Sequence, residues 1–233
     1  LGWIANINKG TIENCENHGN LSHRSNYTSG NIYVGGLVGS NRYVIYRCKN
    51  YGEVSSASIS CSRDDDKTVI VYVGGIAGAS YPKRVLGATT ARCENHGAVK
   101  SLSDARFEKV GGILAEAFTT TVKMCINRGS VTSSSSAPET GGIGETWIAG
   151  IVGYSKGDIV CCDNFGEVSS SGVNLAHTAG ICSMPHTKLV IADCTNYGKV
   201  ECLNETPSFT AGIAATIGRE VHLVNCNNRG EVR

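Results

Sequence analysis

The chain has few prolines, few aromatic residues and no excess of charge of either sign. Only 4 of its 233 residues are proline, and 6% are aromatic. Although 29 residues are glycine, the scarcity of proline excludes a collagen-like chain. Lys plus Arg total 21 against 20 for Asp plus Glu, a formal net charge of +1. No overall field therefore attracts nucleic acid or an anionic membrane, and we expect no nucleic-acid partner.

Long apolar runs are also missing. No segment approaches the roughly 18 apolar residues of a membrane helix, so we expect no membrane insertion. With 41% hydrophobic and 18% charged residues, the chain can form a core, which excludes a disordered chain. Its first residues already lie inside a repeating pattern, so we interpret residues 1–233 as a single domain that is a piece of a longer protein.

Two short motifs repeat along the chain. The motif CxNxG occurs seven times, with its cysteines separated by 33, 45, 32, 37, 32 and 32 residues. A second motif lies between these copies. It reads Val-Gly-Gly-Leu or Val-Gly-Gly-Ile at residues 34–37, 73–76 and 110–113, and Ile-Ala-Gly-Ile or Thr-Ala-Gly-Ile at residues 148–151, 178–181 and 210–213. The repeat is therefore about 32 residues long, with two enlarged copies.

The composition of the repeat predicts strands and excludes helical repeats of similar length. Each unit is rich in Gly, Val, Ile, Thr, Ser and Asn, which are poor helix formers. Cys, Asn, Gly and Val alternate with mostly polar residues, the pattern of a strand with one buried side. We predict an all-β chain folded as a β-solenoid of about six to seven coils with a ~32-residue repeat and two or three strands per coil.

In a β-solenoid, equivalent residues of successive coils stack at ~4.8 Å and form columns. We interpret the motif cysteines as a structural column of buried thiols: Cys15, Cys48, Cys93, Cys125, Cys162, Cys194 and Cys226. The motif asparagines form a second column, in which we expect amide hydrogen bonds from coil to coil: Asn17, Asn50, Asn95, Asn127, Asn164, Asn196 and Asn228. We expect the glycine of each motif to adopt a positive φ in a turn.

The 11 cysteines are an odd number, so at least one has no partner within the chain. Cys61, Cys161, Cys182 and Cys202 lie outside the column. Stacked side chains do not readily present disulfide geometry, and a straight column cannot arrange four thiolates around zinc. We therefore expect free thiols, no metal site and no cofactor.

The second motif resembles the GLUG motif of bacterial surface and secreted proteins. Residues 36–39 read Gly-Leu-Val-Gly, and residues 75–78 and 150–153 are close variants. The similarity extends over nearly the whole chain, although Cys replaces a frequent Ser and the last glycine becomes Ala115, Ser183 or Ala215 in later copies. The resemblance implies a structural or adhesive module, without catalytic activity, that is extracellular or on the cell surface.

The residue between Asn and Gly of each CxNxG motif is the first candidate for binding. All seven are aromatic or basic: His18, Tyr51, His96, Arg128, Phe165, Tyr197 and Arg229. We expect an outward column about 30 Å long, called here the exposed column. Such a column could bind sugar rings or a protein surface. The alternative is that bulky side chains only shield the turn beneath them.

The two enlarged repeats are the second candidate. The insertion in residues 54–73 carries Arg63, Asp64, Asp65 and Asp66, and the one in residues 131–148 carries Glu139 and Glu145. Both follow the CxNxGxV segment, so we expect them at one edge of the solenoid, where insertions often form a binding surface. A solvated polar loop is the alternative.

Three functions stay open at this point. The first is a structural or adhesive module that binds a glycan or a protein partner. The second is an architectural protein that forms filaments by self-association through its terminal coils. The third is a carbohydrate-active enzyme with carboxylates from the two insertions. Because no HExxH, GxSxG or phosphate-binding loop occurs in the sequence, we favour the first and expect no enzymatic activity.

Overall fold

A computed structural model describes residues 1–26, 30–58, 69–82, 88–136, 144–204 and 206–233. These residues form 32 β-strands and no helix. The prediction of an all-β chain is therefore confirmed. Complete coils contain five short strands, so the prediction of two or three strands per coil is wrong, because each coil bends more often than the motifs indicate.

In the described residues, six coils of five strands are followed by two strands of a seventh. The first coil contains β1 (Ala5–Asn8), β2 (Thr11–Glu13), β3 (Glu16–Asn17), β4 (Leu21–Ser25) and β5 (Ile32–Gly35). The second contains β6 (Val38–Asn41), β7 (Val44–Tyr46), β8 (Lys49–Asn50), β9 (Val54–Ser58) and β10 (Ile70–Gly74). The third contains β11 (Ala77–Ser80), β12 (Thr89–Ala91), β13 (Glu94–Asn95), β14 (Val99–Ser103) and β15 (Phe107–Gly111).

The fourth coil contains β16 (Leu114–Ala117), β17 (Thr121–Lys123), β18 (Ile126–Asn127), β19 (Val131–Ser135) and β20 (Glu145–Ala149). The fifth contains β21 (Val152–Ser155), β22 (Ile159–Val160), β23 (Asp163–Asn164), β24 (Val168–Gly172) and β25 (Leu175–Ala179). The sixth contains β26 (Cys182–Pro185), β27 (Leu189–Ala192), β28 (Thr195–Asn196), β29 (Val200–Asn204) and β30 (Phe209–Ala211). The seventh contributes β31 (Val221–Val224) and β32 (Asn227–Asn228).

Each strand pairs in parallel with its equivalents in the neighbouring coils, so the strands form five parallel sheets. We number these sheets as faces in chain order. Face 1 contains β1, β6, β11, β16, β21 and β26, and face 2 contains β2, β7, β12, β17, β22, β27 and β31. Face 3 contains β3, β8, β13, β18, β23, β28 and β32, face 4 contains β4, β9, β14, β19, β24 and β29, and face 5 contains β5, β10, β15, β20, β25 and β30. The chain is therefore a β-solenoid of about six coils.

A left-handed residue turns the chain from face 2 into face 3 in every coil. The residue before each motif cysteine has φ between 51° and 54°: Asn14, Arg47, Arg92, Met124, Cys161, Asp193 and Asn225. Among the glycines of the described residues, Gly30 and Gly172 have a positive φ, and neither belongs to a CxNxG motif. The expectation for the motif glycines is therefore wrong.

The motif glycines are needed for close contact between coils. A Cβ atom on Gly97 would lie within 3.0 Å of the carbonyl oxygen of Gly52, and a Cβ atom on Gly129 would approach Gly97 in the same way. Real Cβ atoms do not approach backbone atoms so closely. The absence of a side chain therefore lets these turns stack directly on one another.

The asparagine column forms a continuous ladder of buried hydrogen bonds. Asn50 Nδ2 donates to Asn95 Oδ1 at 2.8 Å and to the carbonyl oxygen of Gly52 at 2.7 Å. The bond between neighbouring asparagines recurs at 2.8–2.9 Å along the whole column, from Asn17 to Asn228. A buried amide without partners would be costly, so the ladder explains why the same residue is needed in every coil.

A column of glycines packs against this ladder and divides the core. These glycines lie between faces 5 and 1: Gly36, Gly75, Gly112, Gly150, Gly180 and Gly212. A Cβ atom on Gly112 would lie within 3.0 Å of the side chain of Asn127 on face 3. The junction of faces 5 and 1 is therefore bent inward until it touches face 3. Two separate apolar clusters result, one containing Leu37 and Ile45 and the other containing Val34 and Val54.

The inner cysteines line the first of these clusters. Cys48, Cys93, Cys125, Cys162 and Cys194 are buried, and the ten described cysteines form no disulfide bond. Each of these five thiols contacts a carbonyl oxygen, as Cys48 Sγ does with Tyr46 O at 3.2 Å. Burial raises the pKa of Cys125 and Cys162. Outside the column, Cys161 is exposed, Cys182 is buried and Cys202 is half-buried, whereas Cys61 lies outside the described residues.

The second cluster contains a buried carboxyl group that faces no cation among the described residues. Glu108 on β15 is fully buried, and its Oε2 accepts hydrogen bonds from Ser133 Oγ at 2.7 Å and from Thr146 Oγ1 at 3.4 Å. Its Oε1 has no partner among the described residues. Burial raises the pKa of Glu108 from 4.5 to about 7, although the neighbouring hydroxyl groups oppose this shift. The folded protein therefore favours the protonated carboxyl group.

Glu108→Gln should remove a pH dependence of stability. In the wild type, the unfolded chain releases this proton near pH 4.5 and the folded chain near pH 7, so the free energy of unfolding should fall as the pH rises between these values. The expected loss is about 3 kcal/mol. Urea denaturation between pH 4.5 and 8 measures it. The exposed Glu13→Gln is the matched control, and parallel curves for Glu108→Gln and the wild type would contradict the assignment.

Gly112→Ala should destabilise the protein far more than Gly10→Ala. The new Cβ atom at residue 112 would collide with Asn127 and with the Gly150 carbonyl group, whereas no atom lies within 4 Å of a Cβ atom at residue 10. We expect a loss of about 3 kcal/mol for Gly112→Ala and a change below about 0.5 kcal/mol for Gly10→Ala. Denaturant titrations measure both. Equal effects would contradict the contact between the glycine column and the asparagine ladder.

Candidate binding groove

The inward bend between faces 5 and 1 leaves a groove on the outer surface of the solenoid. One wall is a column of large residues on face 5, each paired with the next by strand register. This groove column consists of Tyr33, Tyr72, Lys109, Trp147, His177 and Phe209. The opposite wall on face 1 includes Glu116, Tyr154 and Met184, which are also paired in register. The two walls together bring aromatic and charged side chains from six coils into one groove.

The aromatic rings of the groove contact one another along and across it. Tyr33 stacks on Tyr72 with ring centroids 4.7 Å apart, and Trp147 stacks on His177 at 6.2 Å. Across the groove, the ring of Tyr81 stands edge-on to Tyr72 at 6.4 Å. Tyr154 meets Trp147 at 6.0 Å and at an angle of 70°. These contacts bury rings that project from the outer side of the sheet: Tyr72 is only 3% exposed.

A shielded ion pair lies in the middle of the groove. Lys109 Nζ is 2.8 Å from Glu116 Oε2, and the two side chains are only 10% and 5% exposed. The Lys109 ammonium group lies 4.2 Å from the ring centroid of Tyr154 and within 5.5 Å of those of Tyr72 and Trp147. Tyr81 also donates a hydrogen bond to Glu116 at 2.5 Å. Burial lowers the pKa of Lys109, and the Glu116 carboxylate opposes that shift.

Next to this ion pair is a cavity of about 320 Å³. Its lining residues come from both walls: Ile70, Phe107, Lys109, Trp147, Tyr154, Met184 and His186. Trp147 is 8% exposed, and its indole N–H has no hydrogen-bond partner among the described residues. A buried donor without an acceptor is unusual in a folded protein. The cavity is therefore lined mainly by aromatic and apolar side chains, and the unpartnered indole N–H is buried and inaccessible to solvent.

The groove column is not among the sites predicted from the sequence, although the sequence contains a signal for it. Its members directly precede the second motif in every copy, and all six are large. Their chemistry varies from phenol to ammonium to indole, so they did not appear as a repeated residue. The inward bend that brings faces 5 and 1 together has no counterpart in the alternation of apolar and polar residues.

The exposed column lies at the end of face 3, and its members stack on one another. His18, Tyr51 and His96 form one stack, with centroids 4.7 and 4.8 Å apart. Phe165 stacks on Tyr197 at 4.5 Å. The guanidinium groups of Arg128 and Arg229 lie 4.9 and 5.5 Å from these two rings. Because the ring faces contact one another, they offer mainly their edges to a ligand.

The insertions lie largely outside the described residues, and so do Arg63, Asp64, Asp65, Asp66 and Glu139. The segments that contain them connect β9 with β10 and β19 with β20, so both join face 4 to face 5. This placement agrees with the expected common edge. Glu145 begins β20 on face 5 and pairs in register with Phe107 and Leu175. A further enlargement between β11 and β12, where residues 83–87 are not described, was missed.

Comparisons of the chain with protein-family models, with curated proteins and with solved structures find no match. The resemblance to GLUG repeats therefore stays a prediction. The described part of the chain has no helix able to span a membrane. Within the same residues, no group of three or more His, Cys, Asp and Glu side chains is placed to hold a metal ion.

Lys109→Met and Glu116→Leu should be strongly coupled. Either single substitution leaves a buried charge without its partner, which costs about 3 kcal/mol or more. The double variant removes both charges, so its loss should be about 2 kcal/mol smaller than the sum of the two single losses. A double-mutant cycle from urea denaturation measures the coupling. Additive effects would contradict a shielded ion pair in the groove.

Proposed function

We propose that the chain is a non-catalytic adhesive module of a secreted or surface-exposed protein and that it binds a glycan in the groove between faces 5 and 1. The observation that carries the proposal is the combination of aromatic walls and an open cavity in one groove. Saccharides present apolar C–H surfaces that pack on aromatic rings, and a groove lined by such rings complements them. The GLUG-like repeats support the same class of protein.

The groove is a better glycan site than the exposed column. Rings stack face to face in both places, at 4.5–4.8 Å in the exposed column and at 4.7–6.2 Å along the groove column, but the groove column borders a cavity with walls on two sides. In the groove, the rings of Tyr154 and Trp147 meet edge to face at 70°, and both line the cavity. The exposed column stays a prediction for contact with a protein surface.

The arrangement of carboxylates supports a non-catalytic role. Glycoside hydrolysis requires two carboxyl groups about 5 to 9.5 Å apart, one of them free to donate a proton. In the groove, Glu116 is engaged by Lys109 and Tyr81, which hold it as a structural anion. The carboxylates suggested by the sequence for catalysis lie outside the described residues, except for Glu145. No specific contact in the described residues favours cleavage or self-association over binding.

A glycan array with groove and column variants tests the proposal. The groove variant carries Tyr154→Ser and Phe209→Ser, and the matched control carries Phe165→Ser and Tyr197→Ser in the exposed column. We expect the groove variant to lose about tenfold or more in affinity for any glycan that the wild type binds, and the control to stay within about twofold. Thermal unfolding of all variants separates lost binding from lost folding. Binding by the wild type to no glycan would overturn the proposal, and loss of binding only in the control would move the site to the exposed column.

A further inference from the structure

Face 2 carries a second surface, which runs along the solenoid outside the groove. It consists of the outward residues at the face 2 strands and of the left-handed residue that follows each strand. We call this surface the face 2 strip. None of its residues lines the cavity in the groove, so a partner bound to the strip would leave that cavity open.

Charge is divided along the face 2 strip. The second, third and fourth coils contribute the exposed cations Arg47, Arg92 and Lys123. The fifth and sixth coils contribute the exposed anions Asp158 and Asp193. In the part of the chain that the structure describes, Arg92 and Lys123 belong to no ion pair, and neither do the two aspartates. One half of the strip is therefore basic and the other half acidic.

The charges of the two aspartates are not compensated within the described residues. Asp158 Oδ1 accepts a hydrogen bond from the backbone N–H of Val190 at 2.8 Å, and Asp193 Oδ1 accepts one from Asn225 Nδ2 at 3.2 Å. Both donors are neutral. Lys188, which directly precedes β27, lies 3.8 Å from a glutamate of the next coil. The acidic half is therefore available to cations of another molecule.

The two halves of the strip cannot neutralise each other within one chain. Arg92 belongs to the third coil and Asp193 to the sixth. At ~4.8 Å per coil, three steps separate their backbones by about 14 Å. A second molecule with the same strip, turned end for end, would bring opposite charges together.

We propose that the face 2 strip is the interface of a dimer in which two copies of this chain dock face to face with antiparallel solenoid axes. A two-fold axis between the fourth and fifth coils would place the third coil opposite the sixth coil of the second copy. Arg92 would then face Asp193 of the second copy, and Lys123 would lie close to its Asp158. Two-fold symmetry makes each of these contacts occur twice.

The remaining residues of the strip are compatible with this overlap. Strand register places Ala91 opposite Ala192 of the second copy. Met124 and Cys161, both exposed, would meet beside the two-fold axis. Arg47 would face an uncharged residue of the seventh coil. No like charges of the strip therefore face one another in the antiparallel arrangement.

The charge pattern selects the antiparallel arrangement over a parallel one. With parallel axes, each coil would face its own equivalent, so cations would oppose cations and aspartates would oppose aspartates. Juxtaposed like charges weaken association. The antiparallel overlap covers six coils, which is about 24 Å long and only a few residues wide. Such an area lies at the lower end of specific interfaces, so we expect a reversible dimer with a dissociation constant of about 1 μM to 100 μM.

Analytical ultracentrifugation over a range of protein concentrations tests the dimer. We expect a monomer–dimer equilibrium whose dissociation constant rises at least about fivefold between low and high salt, because the contacts are exposed ion pairs. A wild type that stays monomeric at every concentration would overturn the proposal. Species that grow beyond a dimer would indicate an open contact, such as stacking of terminal coils, and would overturn it too. The inference is independent of glycan binding.

Charge reversal tests which residues meet. Arg92→Glu and Asp193→Arg should each weaken the dimer about tenfold or more, because each places like charges opposite one another twice. An equimolar mixture of the two variants should form a heterodimer with nearly wild-type affinity, since every facing pair again has opposite charges. Native mass spectrometry of the mixture distinguishes heterodimers from homodimers.

The matched control is Arg24→Glu, at an exposed position on face 4, which should change the dissociation constant less than about twofold. Thermal unfolding confirms that all variants fold. An equal loss in the control would indicate an unspecific effect of charge and would overturn the face 2 strip as the interface. Failure of the mixture to restore the dimer would overturn the antiparallel pairing.

Discussion

The contact between the asparagine ladder and the glycine column determines the shape of this solenoid. The ladder keeps buried carboxamides paired from Asn17 to Asn228, and its side chains occupy the place where a Cβ atom of the facing glycine would lie. The junction of faces 5 and 1 can reach face 3 only because those glycines have no side chain. The divided core and the outer groove both follow from this contact.

Buried polar groups have different partners in the two halves of the core. In the ladder, every inner asparagine donates to its neighbour and to a backbone carbonyl group, so burial of the amides is compensated. Glu108, in the other cluster, is buried against hydroxyl groups and, in the part of the chain that the structure describes, against no cation, so burial favours its neutral form. Carboxamides do not titrate, so the asparagine ladder stabilises the stack of coils independently of pH. The buried carboxyl group of Glu108 makes the stability of its coil depend on pH.

Stacking of coils gives rise to two aromatic columns with different accessibility. In the exposed column, successive rings at the end of face 3 lie face to face, so their faces are covered by their neighbours. In the groove column, Lys109 stands in place of a ring and forms an ion pair with Glu116 on the opposite wall. That ion pair holds the two walls together and leaves the Trp147 indole beside a cavity. The same repeat spacing therefore produces a self-contacting surface in one place and a recess in the other.

The sequence by itself determined the β-solenoid, its approximate repeat and the columns of Cys48, Asn50 and their equivalents, because parallel stacking in register places equal residues over one another. It also placed Tyr51 and its equivalents in one outward column. It did not determine the five faces, the left-handed residue before each cysteine or the groove. Those depend on backbone bends and on contacts between residues such as Gly112 and Asn127 that lie on different faces of the coil. Only the tertiary structure could show that Lys109, Glu116 and Trp147 meet, because the alternation of apolar and polar residues does not indicate the inward bend that brings them together.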